Sequence, residues 1–236
     1  MVDRYVSALL GELAMVADEL RLRTIFFGGG TPSILNLRQW ELILDAINCL
    51  GVENVSEWTV ECNPATLSKD KAELLKEGGV TRVSMGVQSL DPNLLVRLGR
   101  VHSRDMIYKS YEILRNAGFE RVNLDLMFAI PSQSMKVWCD TLDEVTSMGP
   151  DHISCYEVIY EQDTPLYEQL KAGEFDVQEG LACDMFEELV RHTEENGYHQ
   201  YEVANFARHY GHESSEIPDE ACLHNVNYWR GGDYHG

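Results

Sequence analysis

The chain has 236 residues, 44% hydrophobic and 25% charged, an ordinary globular balance that argues against disorder. That length suits one α/β domain, or one domain with a small appendage. A formal net charge of −20 lacks the Lys/Arg footprint that nucleic-acid binding needs and disfavours an anionic membrane surface, leaving a solvated acidic exterior as the simplest reading.

In chain order, Val2, Val6, Leu9, Leu10, Leu13, Val16 and Leu20 fall on one helical face and predict an amphipathic helix rather than a signal peptide. A short apolar run, Thr24–Phe27, ends in Gly28-Gly29-Gly30, and a helix with Trp40, Ile43, Leu44 and Ile47 inward follows. A strand over Glu57–Cys62 closes at Asn63-Pro64, and the next helix opens at Ser68 and stops at Gly78-Gly79. Strand Arg82–Gln88 leads into Asp91-Pro92, a good helix start. Ser103 caps a helix ending at Gly118, strand Arg121–Phe128 ends near Pro131, and Ser134 opens a helix closing near Met148-Gly149-Pro150. A fifth strand spans Asp151–Ile159.

Beyond Glu161 the rhythm changes to a helix over 177–196, an edge strand over Tyr201–Phe206 and a polar, acidic loop over 209–221. Five strand–helix units mean parallel strands with right-handed crossovers. Five are too few for a closed eight-stranded barrel and suit an open, partial one. No stretch approaches the roughly 20 apolar residues of a membrane span, so the cytoplasm is the expected location. The six cysteines stand at 49, 62, 139, 155, 183 and 222, with no Cys-x-x-Cys spacing, and read as structural thiols in a reducing compartment.

Ligands of parallel α/β folds bind at the carboxyl ends of strands. There the sequence offers the glycine turn 28–30, Glu61, Gln88 and Asp125, with Arg100 in the linker beyond. Each alone is as readily a strand-end residue facing water. Together they supply one cation, two carboxylates, an amide and exposed backbone N–H groups, a set that suits a zwitterionic ligand carrying a ribose.

The segments Phe-Phe-Gly-Gly-Gly-Thr-Pro-Ser (26–33), Glu-Cys-Asn-Pro (61–64), Ser-Met-Gly-Val-Gln-Ser (84–89), Leu-Gly-Arg-Val-His (98–102) and Asn-Leu-Asp-Leu-Met-Phe-Ala-Ile-Pro (123–131) resemble, in order and spacing, the radical-SAM coproporphyrinogen III oxidase-like family. His-Ile-Ser-Cys-Tyr-Glu-Val (152–158), Thr-Pro-Leu-Tyr (164–167), Tyr-Glu-Val-Ala-Asn-Phe-Ala (201–207) and His-Asn-Val-Asn-Tyr-Trp (224–229) resemble its HemW branch, regarded as heme chaperones. The resemblance implies a partial (β/α)6-type radical-SAM barrel over residues 1–160 that lacks its first strand. Residues 161–236 would then begin a C-terminal extension with a heme-binding motif.

It further implies that Gly29, Gly30 and Thr31 touch S-adenosyl-L-methionine (SAM), that Glu61 binds it, and that Gln88, Arg100 and Asp125 line the same pocket. His224 would ligate heme iron, with Tyr228 and Trp229 offering flat faces to a porphyrin. The alternative is a histidine that simply packs beside aromatics, and His209, His212 and His235 lie in the same region. His102 reads as structural or pocket-lining.

The family's Cys-x-x-x-Cys-x-x-Cys loop holds a [4Fe–4S] cluster that chelates SAM, and its ligands are absent here. Met1 stands just before the helix that would follow that loop, so the chain is expected to be truncated at both ends and not to perform radical chemistry as it stands. The functional expectation is a heme chaperone that binds SAM and heme or porphyrin and serves heme-accepting proteins. The alternatives are an oxygen-independent coproporphyrinogen III oxidase of porphyrin biosynthesis, a non-catalytic heme- or SAM-binding module, and an unrelated partial-barrel enzyme using Glu61 and Asp125 as acid and base.

Overall fold

The computed structural model describes residues 1–211 and 216–236. Its strands are β1 Thr24–Phe27, β2 Glu57–Cys62, β3 Arg82–Gln88, β4 Arg121–Phe128, β5 His152–Glu157, β6 Tyr198–Gln200 and β7 Asn205–Arg208. Its helices are α1 Val2–Val16, α2 Leu37–Asn48, α3 Lys69–Glu77, α4 Pro92–Arg97, α5 Arg104–Asn116, α6 Met135–Met148, α7 Pro165–Lys171, α8 Glu179–Glu195 and α9 Leu223–Trp229. The strands form one mostly parallel α/β sheet in the order β1-β2-β3-β4-β5-β7-β6. The chain divides into two compact units, one of Met1–Met85, Lys109–Val122 and Cys222–Gly236, the other of Gly86–Tyr108 and Asn123–Ala221.

In the first unit, β1 and β2 pair in parallel from Thr24 opposite Glu57 to Phe27 opposite Val60, and β2 continues onto β3 from Thr59 opposite Arg82. Apolar residues alternate with polar ones along β2 and β3, so Trp58, Val60 and Cys62 of β2 and Val83 and Met85 of β3 are buried in the core. Trp40 of α2 and Trp58 of β2 are sealed in this core, with the Phe27 ring 5.3 Å from the first and 6.3 Å from the second. The start of α2 is set by a reciprocal capping box between Asn36 and Gln39, and Ser68 caps α3 through Lys71 N.

The last helix, α9, packs on β1 and is tethered to β2 through one buried carboxylate. Glu57 accepts from Arg82 Nε at 2.9 Å, Leu223 N at 3.1 Å, His224 N at 3.0 Å and Cys222 Sγ at 3.3 Å. Glu57 and Arg82 are both essentially inaccessible to solvent. A charge so buried is tolerable only when such partners surround it.

In the second unit, β4 and β5 are parallel from Asn123 opposite His152 to Phe128 opposite Glu157. β7 lies antiparallel between β5 and β6. Helices α6 and α8 pack together, with buried Trp138 Nε1 donating to Met185 O at 2.8 Å.

The bounds expected for β1 to β4 are those observed. β5 is shorter than the expected Asp151–Ile159 and α8 shorter than the expected 177–196, and three other elements differ more. Helix α1 stops at Val16, with a turn from Ala17 to Glu19 where the apolar face was extended to Leu20. Residues 201–206 are not one strand. Gly197 ends α8 with φ +81° and the chain turns directly into β6, and Tyr201–Ala204 make a turn whose backbone Ala204 N–H is taken by Glu202 Oε1 at 3.0 Å. Helix α7 was not anticipated, although Thr164 caps it through Tyr167 N and Pro165 occupies its first turn.

Replacing Glu57 by alanine removes the buried carboxylate that pairs with Arg82 and the acceptor of the α9 backbone, and denaturant unfolding is expected to show a loss of about 3–5 kcal/mol. Glu57→Gln should lose less, since its amide oxygen still accepts from the α9 backbone.

Candidate functional site

Because Phe27 pairs with Val60, the glycine turn leaves β1 beside Glu61 of β2. A Cβ at Gly28 would stand 2.7 Å from the Phe26 ring and 3.1 Å from Glu61 Oε1, so only glycine fits there. Gly29 and Gly30 follow with φ of +76° and +57°, the left-handed region that glycine enters without penalty. Gly29 N–H donates to Glu61 Oε2 at 3.2 Å. Burial raises the Glu61 carboxyl above the usual range, and the Gly29 bond opposes this.

The turn then runs through half-buried Thr31 into a short 3-10 segment, Pro32–Ile34. Ser33 shares its hydroxyl proton with Thr66 at 2.6 Å and accepts from Asn63 N at 2.9 Å. Buried Lys71 donates to Ser33 O and Thr66 O at 2.5 and 2.9 Å. These bonds stitch the loop after β1 to the loop after β2, and so hold Gly29 against Glu61.

Within the second unit, Gln88 ends β3 with φ +67°, a costly conformation for a residue with a side chain. The carbonyl before it, Val87 O, accepts from Nε2 of buried His102 at 3.1 Å. His102 is thus structural support for the strand end, as expected of it, with its pKa lowered by burial. Arg100 is open to solvent along much of its length; surrounding protein pushes its guanidinium pKa down, and the charge of Asp125 pulls it up. Asp125 is half-buried and accepts from Asn123 Nδ2 at 2.7 Å. Gly29 and Glu61 are thus bonded in the first unit, next to Gly30 and Thr31, while in the other unit Arg100 and Asp125 interact electrostatically and Gln88 ends β3.

His224 sits in the first unit near the start of α9. Its ring stacks on Phe26 at 5.0 Å, its Nδ1 lies 2.9 Å from Thr24 Oγ1, and its backbone N–H is held by Glu57. Burial lowers its pKa, with Glu57 opposing, so the ring is neutral at pH 7. Tyr228 and Trp229 stand exposed further along α9, their rings edge to face at 5.4 Å. His209 is near Asp219, His235 is exposed, and His212 lies outside the described residues.

All six cysteines are free thiols. Burial pushes Cys62 and Cys222 up to about 12 and Cys155 well above its ordinary value, which makes them inert at neutral pH. Among the described residues no three His, Cys, Asp or Glu side chains converge as a metal site. Two sets of residues were not singled out from sequence: the Thr24–Glu57–Arg82 seat under α9, and a polar group around Asp125 made by Asn123, His152, Ser154, Tyr201 and Asn205. The visible signal for the second was polar residues alternating with apolar ones along β4 and β5.

A model of the Radical SAM superfamily matches residues 2–145. The heme chaperone HemW of Bacillus subtilis is 38% identical over the whole of this chain and 61% of its own length, and that of Lactococcus lactis is 35% identical over 60% of its length. The coproporphyrinogen III oxidase HemN from Escherichia coli, a radical SAM enzyme, superposes with a TM-score of 0.76 at 26% identity, covering 87% of this chain and 48% of HemN. The chain thus spans about 60% of the length of the curated relatives it matches.

Burial of an ionised Glu61 has a stability cost that appears as pH rises through its raised folded-state pKa. Glu61→Gln is therefore expected to melt at a higher temperature than wild type at pH 7. That gain should shrink as pH falls into the ordinary carboxylate range, in calorimetric scans at several pH values.

Proposed function

Because the chain belongs to the radical SAM superfamily, we propose that it handles heme in the manner of its HemW relatives, binding SAM and heme in the cytoplasm for delivery to heme-accepting proteins. The observation that carries this reading is the seat of His224. Nδ1 lies 2.9 Å from Thr24 Oγ1, and in the tautomer that donates to this hydroxyl the ring keeps its lone pair on Nε2, which makes no hydrogen bond among the described residues. A hydrogen bond on the remote nitrogen is how ligating histidines are oriented toward a metal. Exposed Tyr228 and Trp229 on the same helix add apolar faces suited to a porphyrin. In this reading residues 161–236 are the extension that carries the heme-facing motif.

The SAM assignment rests on the strand ends. SAM presents ribose hydroxyls, an amine and a carboxylate, and its sulfonium carries the reactive carbon–sulfur bond. Glu61 and Asp125 accept from the hydroxyls and the amine, Arg100 pairs with the carboxylate, and the Gln88 amide serves either role. Gly29, Gly30 and Thr31 admit the ligand close to the backbone. The superfamily implies a [4Fe–4S] cluster, but the thiols of these residues do not fit one: they are scattered, and three of the six are buried. A second reading, an oxygen-independent coproporphyrinogen III oxidase, is favoured by the likeness to HemN.

Heme titration should produce a Soret shift in wild type, with affinity at least about tenfold weaker in His224→Ala. Equal titrations would remove His224 as the ligand. Calorimetry with SAM should show heat that Glu61→Ala and Asp125→Ala each reduce. Turnover of coproporphyrinogen III by a cluster-loaded longer form would favour the oxidase.

A further inference from the structure

The polar residues of β4, β5 and β7 share one face of the sheet. Asn123 and Asp125 are two apart on β4, as His152 and Ser154 are on β5, and side chains two apart point the same way. The register sets Asn123 opposite His152, Asp125 opposite Ser154, and Ser154 opposite Asn205 of β7. The intervening residues Leu124, Leu126, Ile153, Cys155 and Phe206 are buried in the apolar core. His152, Asn123, Ser154 and Asn205 are nonetheless no more than 5% exposed, so this is a polar network inside the fold, where each bond is strong and each unpaired group costly.

The bonds of this network have one direction. Asn123 Nδ2 lies 2.7 Å from Asp125 Oδ1, and only the amide nitrogen can donate to a carboxylate. Asn123 Oδ1 therefore faces His152 Nδ1 at 2.6 Å, which puts the imidazole proton on Nδ1. His152 Nε2 lies 2.8 Å from the Tyr201 hydroxyl and accepts from it when the ring carries its single proton on Nδ1. In that tautomer Tyr201 O–H donates to His152, His152 Nδ1–H to Asn123, and Asn123 Nδ2–H to Asp125. Ser154 Oγ donates to Asn205 Oδ1 at 2.7 Å, with Asn123 Oδ1 a second, longer acceptor at 3.2 Å, and so ties β7 into the same layer.

We propose that His152, seated by Tyr201, is the positioning residue that aims the Asp125 carboxylate through Asn123, and so tunes the grip on a hydroxyl- or amine-bearing ligand. The inference rests on the reading of Asp125 as a SAM contact for its consequence, but not for its geometry. It gives a task to the segments 152–158 and 201–207, for which the SAM-binding strand ends have no use. His152 supplies the shorter of two contacts on Asn123 Oδ1, 2.6 Å against 3.2 Å from Ser154 Oγ, that keep the amide nitrogen toward Asp125.

The test compares His152→Phe, which offers no donor, with His152→Asn, whose amide nitrogen takes the place of Nδ1, and with Tyr201→Phe. In side-chain 15N spectra of the intact protein, His152 should be neutral and protonated on Nδ1. The Asn123 side-chain NH2 should be protected from solvent exchange in wild type and His152→Asn, and unprotected in His152→Phe. SAM affinity by calorimetry should fall about tenfold in His152→Phe, about two- to threefold in Tyr201→Phe, and recover to within about threefold of wild type in His152→Asn. An Nε2-protonated ring would overturn the proposal, as would equal Asn123 protection in His152→Phe and wild type, or equal loss of affinity in the Phe and Asn variants at position 152. If wild type and Asp125→Ala bind SAM alike, the SAM reading fails, and the tautomer and the exchange data still decide whether His152 orients Asp125.

Discussion

A single cross-strand pair organises the first unit. Thr24 and Glu57 stand directly opposite one another on β1 and β2, and both reach α9. Glu57 takes the backbone N–H groups of Leu223 and His224, while Thr24 meets the imidazole of His224. Arg82, on the next strand, balances the carboxylate. The desolvation of Glu57 is offset only because four donors converge on it, two of them backbone groups that a helix start leaves unpaired anyway. The orientation of His224 is thus a property of the sheet register, and not of the helix that carries it.

The two acidic strand-end residues face opposite demands. Glu61 is half-buried, which raises its pKa and works against stability at neutral pH, while the bond from Gly29 opposes the shift. Asp125 receives a hydrogen bond from Asn123 and stands within electrostatic reach of Arg100. A protein selected for stability alone would place glutamine at 61.

Much of the fold was legible in the sequence. β2, β3 and β4 begin and end where apolar runs meet Asn63-Pro64, Asp91-Pro92 and Pro131, because those residues cannot continue a strand. Helix caps at Ser68 and Ser134 could be read the same way. The hairpin of β6 and β7 was not legible, since a strand and a turn rich in Tyr, Glu and Val look alike until a partner strand is known. The local pairing of Gly29 with Glu61 follows from strand-end placement. The seat of His224 does not: its side-chain partner Thr24 is 200 residues away, and no local pattern encodes that contact. The same holds for Asn123, where alternation marks a polar face but not what lies across it.

That separation has a kinetic side. The first unit is assembled from three stretches of chain, and the segment that covers β1 belongs to the last of them. At ribosomal rates of roughly 5–20 residues per second, β1 waits on the order of 10–40 seconds for α9 to be made. During that interval the edge of β1, with Phe26 on it, is open to other strands, and loop closure across 200 residues sets a slow step in folding. Newly made chains are therefore most exposed to misassembly before α9 emerges, and a holding factor that shields a nascent strand edge would act on this interval.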